Sequence, residues 1–374
     1  MSKICISYFL HFPIGCADGE YFIKNVLNKY FSEVSDECQV SIISSVMPRQ
    51  SWHSDKLMQN LRFINKNQNG KLLISLFCLI KEIRRADVIF LFMHSKNSVL
   101  CGLIAKIVGK KFVTYFGNDW EHLELHSSNP NKVRAFLKRK ASLFLSMNSV
   151  CSFYTGKGLL VRHHGQNKYL TSPIVNIEYS NFIERDRYPY LRDKKLIKLL
   201  YVGALIERKG LTFLLDALAM IKKGKIHIDL IGDGADRDKL IDKARYISDN
   251  ISFKFHGYLH NNSTLYNFYR EADAFILPSF SEGLPRVLYE AVSQGCPIIT
   301  TPVNSVPYLF EHNYDSLFIT PGDSINIKET IIKIIETPGL NQQLATNALK
   351  TVLPFFKEKP GKQHVRIVKT CLNL

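Results

Sequence analysis

The chain has 374 residues, of which 46% are hydrophobic and 22% charged. This composition excludes a wholly disordered or collagen-like protein, and the length favours two domains. Residues 1–190 hold 25 Lys/Arg and 14 Asp/Glu, a net +11, and the remaining residues hold 24 and 19, a net +5. Such a basic excess attracts phosphate-rich partners, namely nucleic acid, anionic lipid or a diphosphate, without choosing among them.

In the first half of the chain, short runs of β-type residues alternate with helix-length amphipathic stretches. This alternation is typical of α/β units with a parallel sheet. We predict strands at Lys3–Phe9, Gln39–Ser44, Val88–Phe92, Phe112–Phe116 and Val150–Tyr154, and helices at Tyr21–Phe31, Leu72–Arg84, Ser98–Val108 and Lys132–Leu145.

A polar segment broken by Pro189, Asn181–Lys195, has the composition of a linker. A second α/β series follows it, which predicts two doubly wound domains whose ligands lie beyond the carboxyl ends of the strands, in a cleft between the domains. We predict strands at Ile197–Val202, Ile226–Ile231, Ile251–Phe255, Ala274–Leu277, Pro297–Thr300 and Leu317–Ile319, and helices at Leu211–Lys222, Arg237–Ile247, Ser263–Arg270 and Arg286–Gln294.

The eight cysteines are scattered, with no C-x-x-C pair, which predicts reduced thiols and no zinc site. The N-terminus lacks a long apolar stretch followed by a small-residue cleavage site, so a secreted protein is not expected. The longest apolar runs, Leu72–Ile80 and Val88–Met93, are shorter than the roughly 20 residues that span a bilayer. We therefore expect a cytoplasmic protein.

The segment Ile276–Thr301 carries the strongest chemical signal. Its strand is followed by a loop and then by a helix, and the free backbone N–H groups near Gly283 and Leu284 would bind a diphosphate. Glu282 precedes the helix, and Glu290 lies within it and could accept two hydrogen bonds from a ribose diol. A pair of Glu residues near a helix start also serves as a cap or balances the helix dipole, so spacing alone leaves both readings open.

This segment resembles the signature of glycosyltransferase family 4. The resemblance of the chain to that family is strong over residues 197–320 and weak before them. The phosphate-binding turn of that family is matched by residues 201–218, YVGALIERKGLTFLLDAL, and IGDG at 231–234 and FHGYL at 255–259 follow in the family's order. The matching positions of the signature and the turn are Pro278, Ser279, Glu282, Gly283, Glu290, Ala291, Gly295, Pro297, Gly203, Lys209 and Gly210.

The resemblance implies roles for three of these residues. Glu282 would contact the donor sugar, Glu290 would bind the nucleotide ribose, and Lys209 would neutralise the diphosphate leaving group, as departure of a nucleoside diphosphate requires. No cofactor or metal is then expected. The family commonly carries Arg where this chain has Ala204; Arg208 is a candidate substitute, and a solvated arginine at a helix start is the alternative.

The signals in the first half are weaker. Gly15 and Gly19 resemble a glycine loop that approaches the donor diphosphate in this family, although glycines in a β-to-α turn are also common for steric reasons. Asn118 and Asp119 follow a predicted strand and are candidates to hold the acceptor hydroxyl, Asp119 also being a catalytic candidate, with a turn or cap as the alternative. Phe116 stands where relatives often carry His.

The stretch Asn131–Met147 predicts a helix with an apolar face and a basic surround. One reading places it on an anionic membrane surface, where the amine of Lys140 would snorkel. The other reading is a core helix with a solvated basic side. Because many members of the resembled family extend lipid-linked saccharides at the inner face of the bacterial membrane, we favour a peripheral position on the cytoplasmic face.

The resemblance implies a GT-B fold with two domains, 1–185 for the acceptor and 196–354 for the nucleotide sugar, and a C-terminal helix at about 355–374 that packs back onto the first. It implies a retaining transferase that moves a sugar from a UDP- or GDP-linked donor to a saccharide or lipid-linked acceptor in surface polysaccharide synthesis. The alternatives are a sugar-nucleotide epimerase or phosphorylase of the same fold and an inactive nucleotide-sugar-binding relative. Nucleic-acid-binding motifs are absent.

Overall fold

The structure, a computed structural model, describes residues 3–10, 13–18, 20–50, 55–57, 62–65, 72–93, 95–117, 119–125, 130–175, 177–185, 188, 191–259, 262–282 and 285–374. The chain divides into two compact units. The first contains Met1–Leu125, Pro130–Asn176 and Glu358–Leu374, and the second contains Ile177–Lys357. The chain therefore leaves the first unit, builds the second and returns.

The first unit contains eleven strands and six helices before the chain leaves it, counted over its described residues. The strands are β1 Cys5–Phe9, β2 Ile14–Ala17, β3 Glu20–Ile23, β4 Gln39–Ser44, β5 Val46–Pro48, β6 Asp55–Lys56, β7 Arg62–Asn65, β8 Val88–Met93, β9 Lys111–Phe116, β10 Cys151–Tyr154 and β11 Lys168–Leu170. The helices are α1 Asn25–Ser35, α2 Leu72–Arg85, α3 Lys96–Ile107, α4 Trp120–Leu125, α5 Lys132–Asn148 and α6 Lys157–Arg162.

Seven of these strands form one sheet in the order β11-β10-β9-β8-β1-β4-β7, and every neighbouring pair is parallel. Every residue of β8, VIFLFM, is buried, as expected of a parallel strand covered on both faces. The chain order reverses between β1 and β8, so the carboxyl ends of these two strands flank a topological switch point.

A small second sheet, in the order β5-β2-β3-β6, corrects one predicted helix. Helix α1 begins at Asn25 rather than Tyr21, because residues 20–23 pair with β2 as an antiparallel strand. The pairing of β2 with β5 and of β3 with β6 joins residues that are distant in sequence. Such tertiary partners override a local helical pattern.

The second unit contains six strands and six α-helices, counted over the residues that the structure describes there. The strands are β12 Ile197–Val202, β13 Ile226–Ile231, β14 Ile251–Gly257, β15 Ala274–Leu277, β16 Ile298–Thr300 and β17 Leu317–Phe318. The helices are α7 Leu211–Ala219, α8 Arg237–Ala244, α9 Asn262–Glu271, α10 Arg286–Ser293, α11 Ser324–Glu336 and α12 Leu340–Val352. The predicted bounds of β12, β13 and β15 are confirmed.

The six strands form a parallel sheet in the order β14-β13-β12-β15-β16-β17. This is the order of a classical doubly wound nucleotide-binding sheet, with its switch point between β12 and β15. Arg185, from the segment predicted as a linker, donates hydrogen bonds to backbone carbonyls of Tyr269 and Ala272 in this unit. Arg185 is therefore packed within the second unit rather than exposed in a free linker.

The last helix, α13 Pro360–Leu372, lies in the first unit. His364 on this helix is fully buried, and its ring lies 4.3 Å, centroid to centroid, from that of Phe153. Its Nδ1 lies 2.8 Å from the hydroxyl of Tyr30, and its Nε2 lies 2.7 Å from the hydroxyl of Thr171. Burial lowers the pKa of His364 to about 3, so the imidazole is a neutral part of the core.

Candidate functional site

Two loops of the second unit meet at its switch point. The first loop (residues 203–210) follows β12, and the second loop (its described residues 278–282) follows β15. Strands β12 and β15 are hydrogen-bonded neighbours, but the chain leaves them toward opposite edges of the sheet. The connections that follow them therefore diverge and leave a crevice, which is where doubly wound sheets bind ligands.

The first loop is held directly against the second by backbone contacts. The N–H of Phe280 donates to the carbonyl of Arg208 at 2.9 Å. Gly210 has φ +69°, and a Cβ added there would lie 2.2 Å from the carbonyl oxygen of Pro278. Only glycine permits both the left-handed conformation and this approach. The close contact is what brings the charged side chains of the two loops together.

Lys209 and Glu282 form an ion pair between the loops, Nζ to Oε1. The side chains are only 12% and 9% exposed, so the pair is largely screened from water. The hydroxyl of Ser279 donates to the same carboxylate oxygen at 2.7 Å. The pair thus places a cation and a carboxylate side by side, and Ser279 holds the carboxylate in position.

Arg208 is likewise directed at the second loop, where its Nη1 donates to the carbonyl of Ser281. It is therefore placed beside Lys209 rather than extended into solvent. Gly203 directly follows β12, and Gly232 lies against it. Gly232 has φ +135°, and a Cβ added there would lie 1.9 Å from the carbonyl oxygen of Gly203. The turn that carries Gly203 is thus closely packed against the neighbouring strand end.

Glu290 lies on α10, and the hydroxyl of Tyr269 donates to its Oε2 at 3.1 Å. Burial raises the pKa of Glu290, and the nearby Arg286 opposes that rise. Burial, reinforced by the charge of Glu290, also raises the pKa of Tyr266 to about 12. The carboxylate therefore lies in a poorly solvated environment, where a hydrogen bond from a ligand hydroxyl is stronger than in water.

Three further polar groups near this edge were not predicted from sequence. The hydroxyl of Ser281, the amide nitrogen of Asn304 and the hydroxyl of Ser305 are buried without a hydrogen-bond partner among the described residues. Thr301 joins their two segments, because its hydroxyl donates to the carbonyl of Ser279 at 2.6 Å. No motif in the chain marks them, since only the folded loops show which polar atoms are left unpaired. Such groups are candidates to bind a ligand.

Four predicted positions, Gly19, Asn118, Gly283 and Leu284, lie outside the described residues. Gly15 is described, but it lies in strand β2, paired with Phe22 and Met47, rather than in a β-to-α loop. The loop expected there is wrong for this residue, because the segment after β1 enters the small second sheet.

Asp119 follows β9 in the first unit and is 6% exposed. Its carboxylate accepts a hydrogen bond from Nη1 of Arg162, so this candidate to hold the acceptor hydroxyl forms an ion pair within the first unit. Phe116, at the end of β9, packs against the ring of His163 with a centroid distance of 4.5 Å. His163, at the end of α6, therefore lies beside Phe116, the position at which relatives in the resembled family often carry His.

Helix α5 has an exposed apolar group near its start. Val133 is 68% exposed, Phe136 55% and Leu137 59%. The ammonium of Lys140 lies 5.3 Å from the centre of the Phe136 ring. The buried side of the helix instead carries Ala135, Ser142, Leu145 and Ser146. The predicted apolar face is thus exposed over its first two turns.

Among the described residues, no group of three or more His, Cys, Asp or Glu side chains is arranged to hold a metal ion. One D-x-D triplet, Asp236-Arg237-Asp238, begins α8. The side chain of Asp238 is 93% exposed and lies 3.5 Å from Arg237. Over the same described part of the chain, no helix is long and apolar enough to cross a membrane.

Two doubly wound units with parallel sheets are the architecture of the GT-B class. Solved structures match this chain over nearly its whole length. Anabaena HepE in complex with UDP matches with a TM-score of 0.73 and 14% identity, covering 100% of both chains. WaaG, a glycosyltransferase involved in lipopolysaccharide biosynthesis, matches with a TM-score of 0.65 and 16% identity, covering 97% of this chain and 99% of that one. At such low identity these matches establish the fold: the chain has the GT-B fold.

Residues 182–351 match the family model of Glycosyl transferases group 1. An uncharacterized glycosyltransferase of Methanocaldococcus jannaschii is 25% identical over 184 residues, 49% of this chain and 46% of the relative. The lipopolysaccharide core biosynthesis glycosyltransferase LpsD of Rhizobium meliloti is 26% identical over 158 residues, 42% of this chain and 45% of LpsD. Each match spans less than half the length of the relative.

Proposed function

We propose that this protein is a retaining glycosyltransferase that moves a sugar from a nucleotide donor to a saccharide or lipid-linked acceptor. The observation that carries the proposal is the Lys209–Glu282 pair at the switch point of the second unit, within the segment that matches Glycosyl transferases group 1. One ligand class satisfies both charges, because a nucleotide sugar carries a diphosphate next to sugar hydroxyls.

Donor binding would exchange the partners of this ion pair. A diphosphate oxygen would take Lys209 as its cation, and the sugar hydroxyls would then donate to the carboxylate of Glu282 that Lys209 has released. The hydroxyl of Ser279 keeps that carboxylate oriented, since it already donates to Oε1. Arg208, beside Lys209, supplies a second positive charge at the same edge.

Glu290 would bind the nucleotide through the ribose diol. Its Oε2 accepts from Tyr269, and a carboxylate has acceptor capacity for further hydrogen bonds. We propose a UDP- or GDP-linked donor, with UDP first because HepE, which shares the fold, was solved in complex with UDP. The unpaired groups of Ser281, Asn304 and Ser305 would contact the donor sugar or its phosphates.

In the proposed reaction, the bond between the anomeric carbon and the diphosphate oxygen breaks, and the bond to the acceptor oxygen forms on the same face of the sugar. The acceptor hydroxyl gives its proton to the departing diphosphate. Negative charge develops on that diphosphate, so Lys209 and Arg208 stabilise the transition state electrostatically. These two cations are the basis for proposing that no metal is required.

The proposed setting is assembly of a surface polysaccharide, by similarity to LpsD. The acceptor would bind in the first unit, near Asp119, which lies in the loop between β9 and α4. We further propose that α5 places the protein on an anionic membrane at the cytoplasmic face. The exposed Val133, Phe136 and Leu137 would enter the headgroup boundary, and Lys132 and Lys140 would lie next to acidic lipids.

The proposal is tested by thermal melting of the full chain against UDP-, GDP-, ADP-, CMP- and dTDP-sugars. A ligand at ~100 times its Kd stabilises the folded state by about 2.7 kcal/mol. We expect one nucleotide class to raise the Tm of the wild type and of Glu329→Ala, an exposed control on α11, but not that of Glu290→Ala. Product analysis with chelator present would then give the stereochemistry and the metal requirement. A wild type that no nucleotide sugar stabilises contradicts the proposal.

A further inference from the structure

A cavity of about 240 Å³ lies in the first unit. It is smaller than the roughly 300–1,000 Å³ of pockets that bind drug-sized molecules, so it suits a ligand about the size of one sugar ring. Its polar lining comes from the connection after β9, from α4, from α5 and from the end of α6: Asp119, Glu121, Arg139, Ser142, Arg162 and His163.

The charges of the lining are balanced in pairs. Asp119 accepts from Arg162, and Glu121 lies 3.8 Å from Arg139. Two carboxylates and two guanidinium groups together offer acceptors and donors with no net charge. A hydroxyl both donates and accepts, so such a lining matches a neutral polyhydroxylated ligand. A phosphate would gain no net attraction from this lining, because the carboxylates of Asp119 and Glu121 offset the charges of the two guanidinium groups.

Two polar groups of the lining have unused hydrogen-bonding capacity. Ser142 is 3% exposed, and its hydroxyl has no partner among the described residues. His163 has its Nδ1 2.9 Å from the carbonyl oxygen of Leu159; a carbonyl only accepts, so Nδ1 carries the proton. Burial lowers the pKa of His163, which leaves the neutral ring with Nε2 as an acceptor. Buried polar atoms in proteins normally have partners.

We propose that this cavity binds one neutral sugar ring of the acceptor, with Ser142 and His163 as hydrogen-bonding partners of its hydroxyls and the Asp119–Arg162 pair beside them. The inference rests on the proposed transferase function and names the acceptor subsite of that function. Leu125 and Leu143, which also line the cavity, would contact the apolar face of the ring.

The test is equilibrium binding of free monosaccharides to the full chain without any nucleotide, by saturation-transfer NMR and titration. The probes are glucose, galactose and mannose, with inorganic phosphate as the anionic probe. We expect at least one sugar to bind and phosphate not to compete with it. Ser142→Ala should weaken the binding of that sugar by about 2- to 10-fold, which corresponds to the loss of one net hydrogen bond. Ser142→Leu should abolish binding by filling the cavity.

The control is Ser180→Ala, the same change at an exposed position of the second unit, which should leave sugar affinity unchanged. Because the hydroxyl of Ser142 has no described partner, Ser142→Ala should not lower the Tm, which separates lost binding from lost folding. Three outcomes would each overturn the inference: no sugar binds the wild type, both Ser142 variants bind the sugar as tightly as the wild type, or phosphate displaces the sugar. In those cases a nucleotide sugar could still stabilise the wild type and not Glu290→Ala. Failure of the sugar cavity is therefore distinguishable from failure of the proposed transferase function.

Discussion

Lys209 and Glu282 pair their charges across 73 positions of the chain, because the loops after two adjacent strands are joined backbone to backbone. The pair is about nine-tenths buried. Removing one partner therefore leaves an unpaired charge in a poorly solvated place, whereas removing both does not. This asymmetry makes the pair accessible to a double-mutant cycle.

We predict that Lys209→Met lowers the free energy of unfolding by about 3–5 kcal/mol, since it leaves Glu282 buried and unpaired. The double variant Lys209→Met/Glu282→Gln should recover much of that loss while sugar transfer stays abolished in both. Urea unfolding and donor turnover measure the two effects. A single variant as stable as the wild type would show that the pair is not desolvated.

Gly210→Ala tests the contact between the two loops. The added Cβ would lie 2.2 Å from the carbonyl oxygen of Pro278, so the loops must separate and donor affinity should fall. Gly339→Ala is the matched control, because Gly339 has φ +72° but no atom within 4 Å of an added Cβ. The control should lose only the roughly 1–2 kcal/mol of a left-handed alanine and bind donor normally. Equal donor affinity in the two variants would refute the role of the contact.

His364 makes stability depend on pH. Its pKa is about 3 in the folded protein against an ordinary value of 6.5, so below pH 6.5 the unfolded chain binds a proton that the folded chain excludes. The contribution of His364 to the free energy of unfolding should therefore fall by about 1.4 kcal/mol per pH unit as the pH drops from 6.5 toward the folded-state pKa.

His364→Gln should remove this dependence, although the variant loses about 1–3 kcal/mol near neutral pH because its packing is poorer. Denaturant unfolding near pH 7 and near pH 5 gives the comparison: the stability gap between wild type and variant should narrow at the lower pH. A gap that is constant with pH would mean that the imidazole titrates normally in the folded state.

Helix α5 gives the membrane prediction. Phe136→Asp/Leu137→Asp should abolish binding to vesicles of mixed phosphatidylglycerol and phosphatidylcholine, because both side chains are more than half exposed in the protein. Lys132→Glu and Lys140→Glu should each weaken it at least fivefold, about 1 kcal/mol per cation. Lys223→Glu, an exposed change in the second unit, is the control. Co-sedimentation measures all of them, and equal binding by every variant would exclude α5 as the contact.

The amino-acid sequence alone determined the α/β class, the bounds of several strands and the positions of the candidate site residues in the second unit. Strands such as Ile197–Val202 and Ala274–Leu277 could be predicted because parallel strands buried on both faces are nearly continuous apolar runs in the sequence. Glu282 and Glu290 lie in one segment and Lys209 in another. All three were proposed because these segments resemble a family signature, which is a local property of the chain.

Only the tertiary structure decided which of these residues meet. The Lys209–Glu282 pair, the unpaired hydroxyls of Ser281 and Ser305, and the cavity around Ser142 arise from contacts between segments far apart in sequence. The same reason explains the misread helix at Tyr21–Ile23, whose strand exists through pairing with β2 and β6. Periodicity records which face of an element is buried, but it does not record the partner that buries it.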